Sequence, residues 1–175
     1  MQGAQRWFSI SLVAGVLFAC ASAADQGQPT GMPTAGPVTD FATLAPPDRP
    51  NHWLVAPVPA LAAAPVAGKP DAAAPVFDVP AARLAHEWIA IVERQPRAKV
   101  LAVSDDGLRV EAEQTSAVFG FRDRISARFV PLAEERSTLI AFSTAEIGYW
   151  DLGVNRARLQ SWIDLLTAKV AASAK

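Results

Sequence analysis

KVLAVSDDGLRVEAEQ, residues 99–114, decides the fold class. Lys99 to Ser104 is a short apolar run. Asp105-Asp106-Gly107 follows, and Asp-Gly suits the positive φ angles of a tight hairpin. From Leu108 to Gln114 the side chains alternate. Leu108, Val110 and Ala112 fall on one face, and Arg109, Glu111 and Glu113 on the other. A period of two is the strand signature, because successive side chains point to opposite faces of a sheet. The stretch is therefore two antiparallel strands with one face in a core.

Downstream, the pattern continues. Phe121 to Val130 alternates, with Phe121, Ile125, Ala127 and Phe129 on one face and Arg122, Arg124, Ser126 and Arg128 on the other. Asp123 interrupts the apolar set. Pro131 to Ser137 reads as a charged turn. Thr138 to Ile147 is a fourth strand with both faces partly apolar. Opposed Arg109, Arg122, Arg124, Arg128 and Glu111, Glu113 predict cross-strand ion pairs on a solvated outer face.

Two helices flank the meander. Pro80 to Arg94 places Leu84, Trp88, Ile91 and Val92 on one face, and Pro96 stops it. About Leu152 to Ala171 carries a stripe of Leu159, Trp162, Ile163, Leu166 and Val170. Asp151 is placed as its N-cap, accepting from the amide of Gly153 or Val154. Ahead of the first helix, Asn51 to Pro59 is an extended or edge segment. Ala60 to Pro75 reads as a loop, and Val76 to Val79 touches the core. Asp78 and Pro80 are both placed to begin the helix. The order predicts an α+β domain, residues 51–171: an antiparallel four- to five-stranded sheet with two helices packed on one face.

The N-terminal part of the 175-residue chain reads differently. Arg6 precedes an apolar run, Trp7 to Ala19, and Ala21-Ser22-Ala23 fits a small-x-small cleavage site, so residues 1–23 are an export signal. About thirteen apolar residues are too few to span a hydrocarbon core of about 30 Å as a helix. Cys20, the only cysteine, leaves no partner for an internal disulfide. It ends Leu17-Phe18-Ala19-Cys20, which resembles a lipobox, so Cys20 is either the lipidation site of a tethered protein or is discarded with the signal. Residues 24–50, rich in Pro, Gly and Thr, predict a disordered linker. The chain is thus expected to be periplasmic or otherwise exported, touching a membrane only through a lipid at Cys20.

Arg6 is the only charge in residues 1–23, leaving 15 basic and 17 acidic residues, net −2. That balance speaks against nucleic acid, which needs a strongly basic surface. No Walker loop, G-x-S-x-G or G-x-G-x-x-G appears. His52 and His86 stand alone, without ligand spacing for a metal, and no cofactor is implied.

The densest chemistry lies in Ile147-Gly148-Tyr149-Trp150-Asp151-Leu152-Gly153-Val154-Asn155-Arg156-Ala157-Arg158. A helix beginning near Leu152 presents free amides that attract anions. Arg156 and Arg158 oppose the dipole of that helix unless they bind something. The partner is either internal, such as Asp123 or Glu146, in a staple fastening the last helix to the sheet, or external. Tyr149, Asn155, Arg156 and Arg158, with Asp123 as neighbour, are therefore candidate binding residues for a small anionic ligand or an envelope protein. Asp151 is assigned to the helix cap.

Gly148 to Arg158 resembles the terminal G-Y-S-D-L-G-V-N-R-x-R signature of the DUF1499 family. Phe119-Gly120-Phe121-Arg122-Asp123 resembles its F-G-F-x-D segment, and Pro50-Asn51 its P-N. The resemblance covers about residues 50–170 and implies a domain of unknown function without supplying a reaction. Two positions depart from the pattern: His52 stands where the family commonly has Cys, and Glu146 where it commonly has Arg. Three functions follow as expectations. The leading one is a non-enzymatic domain that binds a ligand or partner. The alternatives are a hydrolase acting on envelope material, with Asp123 or Asp151 as general base, and a purely structural spacer.

Overall fold

The computed structural model describes residues 37–61 and 64–173. The expected export signal, Cys20 and residues 24–36 lie outside the described residues. The chain runs β1 (His52–Ala56), a 3-10 turn (Pro59–Leu61), β2 (Ala72–Ala73), β3 (Val76–Phe77), α1 (Ala81–Glu93), β4 (Ala98–Val103), β5 (Arg109–Thr115), β6 (Arg122–Ala133), β7 (Arg136–Ala145) and α2 (Val154–Ala172). The sheet order is β2-β1-β7-β6-β5-β4, and β3 also pairs with β7. All pairings are antiparallel except β1 with β2.

The β4–β5 hairpin turns where Asp106-Gly107 stands. Gly107 takes φ 70°, a value only glycine adopts freely, and its amide donates to Ser104 O at 2.8 Å. Asp106 accepts from the Ser104 hydroxyl and from the Leu108 amide. These two bonds, the hydroxyl first, hold its carboxyl below the usual aspartate range.

Alternation decides which face is buried. Val110 and Ala112 of β5, Ile125, Ala127 and Phe129 of β6, and Leu139 and Ala141 of β7 meet the apolar stripes of both helices. Trp88 of α1 is fully buried. It packs edge-on against Trp162 of α2, centroids 5.5 Å apart, and Phe129 of β6, 6.0 Å apart. Each large apolar side chain removed from water contributes about 1.5–3 kcal/mol. Lys169 of α2 bonds Glu87 of α1, tying the helices at their rim.

The opposite sheet face is not simply solvated. Leu54, Ala56, Val130, Ile140 and Phe142 form a second cluster, and Phe41, 1% exposed, closes it. Residues 37–50, expected as disordered linker, thus lie over the sheet. The Thr39 amide donates to Glu111 Oε1 at 2.7 Å, and its hydroxyl meets Ser126 Oγ at 2.8 Å. One aromatic side chain and two hydrogen bonds offset the ordering cost that the Pro-rich composition suggested would prevail. This second core also explains why β7 is apolar on both faces.

Several expectations are corrected. Among the described residues the sheet has seven strands, and the two-residue β2 and β3 are too short to show a period in the sequence. The charged turn contracts to Glu134-Glu135, with Pro131 inside β6 at a register shift, where a ladder tolerates a missing N–H. The outer-face ion pairs differ too. Arg109 sits opposite Arg128, Glu111 is engaged by Thr39 and Ser126, and Glu113 takes Lys99 at 3.1 Å. Arg122 and Arg124 both reach Glu146, at 3.7 and 3.0 Å. Helix α1 has no side-chain cap. Pro80 precedes its first residue, and Pro80 O accepts from Arg83 and Leu84.

Candidate functional site

At one end of the sheet β5 finishes, β6 begins and β7 finishes, and α2 starts above them. Asp123 shares the helix-facing side of β6 with Ile125 and Ala127. That placement puts a carboxylate in an apolar surface, where an unpaired charge is costly. Arg158 of α2 meets it. The Asp123–Arg158 ion pair has side chains 9% and 6% exposed. The rest of the guanidinium is also used: Nε donates to Gln114 Oε1 at 2.7 Å, and Nη1 donates to Ser143 Oγ at 2.9 Å and Asn155 Oδ1 at 2.7 Å.

Asn155 extends the network. Its Oδ1 also accepts from Ser143 Oγ at 2.6 Å, and its Nδ2 donates to Asn51 O at 2.9 Å and Asp151 Oδ2 at 2.8 Å. Asn51 Nδ2 in turn donates to Gly148 O at 2.8 Å. Among the described residues, Asn51 Oδ1 is the atom of this cluster left buried without a partner. The network spans β5, β6, β7, α2 and the residue before β1. It is the internal staple that the opposed charges of the sequence allowed for.

Asp151 caps α2 from two residues before Gly153, the residue that precedes its first turn. Its carboxylate accepts from the Gly153 amide at 3.0 Å and the Asn155 amide at 2.8 Å, while Val154 N bonds the Asp151 carbonyl. The cap is displaced because Leu152 and Gly153 both take positive φ, 54° and 80°. Glycine adopts this freely, whereas leucine is strained there.

The structure therefore divides the sequence-derived candidates. Asn155, Arg158 and Asp123 are buried, and Arg158 bonds both of the others. Arg156 is exposed, its guanidinium 5.2 Å from the Trp53 ring centroid. Tyr149 is exposed beside Trp150, centroids 6.2 Å apart. Neither carboxylate weighed as a general base stands free: Asp123 is paired and Asp151 holds three N–H donors. Among the described residues no three His, Cys, Asp or Glu side chains are grouped as metal ligands would be. His52 lies against Phe142, ring centroids 5.7 Å apart and planes tilted by 42°, and its Nδ1 is 2.8 Å from Arg49 O.

What sequence reasoning missed lies above the staple. Two loops, residues 116–121 and 146–153, emerge side by side and carry apolar side chains into solvent. Phe119 is 73% exposed, Trp150 68% and Leu152 92%, and Val118, Phe121 and Ile147 accompany them. Phe119 and Phe121 stack at 5.4 Å. The available signal was large apolar residues inside turn-rich segments, where solubility alone would place polar ones. Three cavities of about 270–470 Å³ lie elsewhere, along α2, on the second sheet face and at the β2 edge, and these loop side chains line none of them.

No curated protein and no solved structure matches the chain. The family model described as "Protein of unknown function (DUF1499)" matches residues 43–166. That span takes in the sheet, α1, the staple and both apolar loops. The chain accordingly belongs to the DUF1499 family.

Proposed function

We propose that this protein is a non-enzymatic, exported binding domain whose working surface is the end formed by residues 116–121 and 146–154. The observation that carries this reading is the exposure of Phe119, Tyr149, Trp150 and Leu152 on loops beside a buried polar network. Exposing this many large apolar side chains on two neighbouring loops disfavours a free, unpartnered protein and marks an interaction site. The strained backbone at Leu152 is consistent with a side chain held outward for contact rather than packing. Arg156 and Tyr149 contribute at the surface. Asn155, Arg158 and Asp123 act from below by holding the loops in place.

Hydrogen exchange tests this directly. On adding sheared envelope vesicles, which contain both lipid and protein, amides of residues 116–121 and 146–154 should gain protection. Unchanged exchange there, or protection centred on another face, would remove this surface as the binding site.

A further inference from the structure

The binding end carries a charge pattern as well as an apolar one. Arg49 donates to Gly148 O at 3.3 Å, and Arg97 donates to Thr115 O at 3.0 Å. Arg122 and Arg124 reach Glu146, and Arg156 lies over Trp53. These contacts place five arginines around the two loops. Glu146 and Asp151 are the carboxylates those contacts and the α2 cap bring to the same end. Asp123, paired with Arg158, and Glu113, opposite Arg124, stand at this end too, so guanidinium groups exceed carboxylates there by a small margin.

We propose that this end docks on an anionic bilayer surface, with Phe119, Trp150 and Leu152 entering the headgroup–acyl boundary and the arginine collar meeting lipid phosphates. The proposal rests on the binding-end reading above and names its partner. Three observations favour a bilayer. The apolar groups stand exposed on loops and line none of the three cavities described above. Tryptophan and tyrosine are suited to the interface because an apolar ring there carries a polar handle. Guanidinium groups pair with phosphate in a fork geometry. A lipid on Cys20, one of the two fates the sequence allows, would supply a second anchor, and stable peripheral attachment takes two weak signals where one is insufficient.

The test uses the chain from Ala24, which lacks the expected export signal and Cys20 and so reports on the folded domain alone. Every described core residue lies between Phe41 and Val170, so this removes no described packing contact. Vesicles of phosphatidylcholine are compared with vesicles of phosphatidylcholine and phosphatidylglycerol. The chain should co-sediment with the mixed vesicles, more weakly with phosphatidylcholine alone, and progressively less as salt is added. Trp150 emission should shift to the blue and be quenched by brominated acyl chains. Trp150→Phe should keep binding while losing that signal. Trp150→Ser with Leu152→Ser should bind at least about tenfold more weakly, and Arg49→Gln and Arg97→Gln about fivefold each, all with unchanged thermal midpoints. Absence of binding to mixed vesicles, or undiminished binding by the double Ser variant, overturns the proposal. If sheared envelope vesicles still protect the two loops while lipid vesicles do not, the partner is a protein and only the bilayer assignment falls. If neither protects them, both assignments fall.

Discussion

Asp123 is the residue that looked wrong in the sequence and is explained by the structure. It interrupts the apolar face of β6 because Arg158 descends onto it from α2, and Asn155, Ser143 and Gln114 complete the shell of that guanidinium. Once buried, neither charge tolerates losing the other. Asp123→Ala should lower stability by about 3–5 kcal/mol in a denaturant titration, with Arg158→Met similar. The double variant should cost clearly less than the two singles added, because it leaves no orphaned charge. Additive losses would mean the pair does not act as a unit. At the surface the logic reverses. Trp150 and Leu152 contribute little to the core, so their replacement should alter binding and not folding.

Between elements, the link from α1 to α2 depends on pH. The hydrogen bond from Lys169, partly opposed by burial and reinforced by the Lys169 charge, holds the Glu87 carboxyl below its usual range. Folding therefore lowers this pKa. The stabilisation is full above the unfolded value of about 4.3 and fades as pH falls through the lower folded value. The pair is partly exposed, so Glu87→Gln should cost no more than about 1 kcal/mol at neutral pH. The parent and the variant should converge in acid. Stability curves that stay parallel down to acid pH would show that Glu87 contributes nothing through its charge.

For the whole molecule, the sheet is covered on both faces: by two helices on one, and by the segment around Phe41 on the other. The second cover is thin, so one side chain matters disproportionately. Phe41→Ala should cost about 3 kcal/mol or more by urea unfolding, as for other buried phenylalanines, although the residue sits in a stretch that reads as linker. A loss below about 1 kcal/mol would show the segment to be dispensable cover.

Local pattern alone determined the Asp106-Gly107 hairpin, the alternation of β5 and β6, and the stripes of both helices, because spacing along the chain directly sets which side chains share a face. The Gly148–Arg158 signature likewise marked the family. The pairing of Asp123 with Arg158 was readable only as one option among several, since residues 35 apart in sequence meet only through the tertiary fold. The two-residue strands, the burial of Phe41 and the exposure of Phe119 and Trp150 were left to the tertiary structure. Each depends on which strand end or sheet face a distant segment reaches, and no local period encodes that distance. The sequence thus determined the elements and their inward faces. Only the folded chain decided that the polar half of the signature is spent inside and the apolar half is turned out.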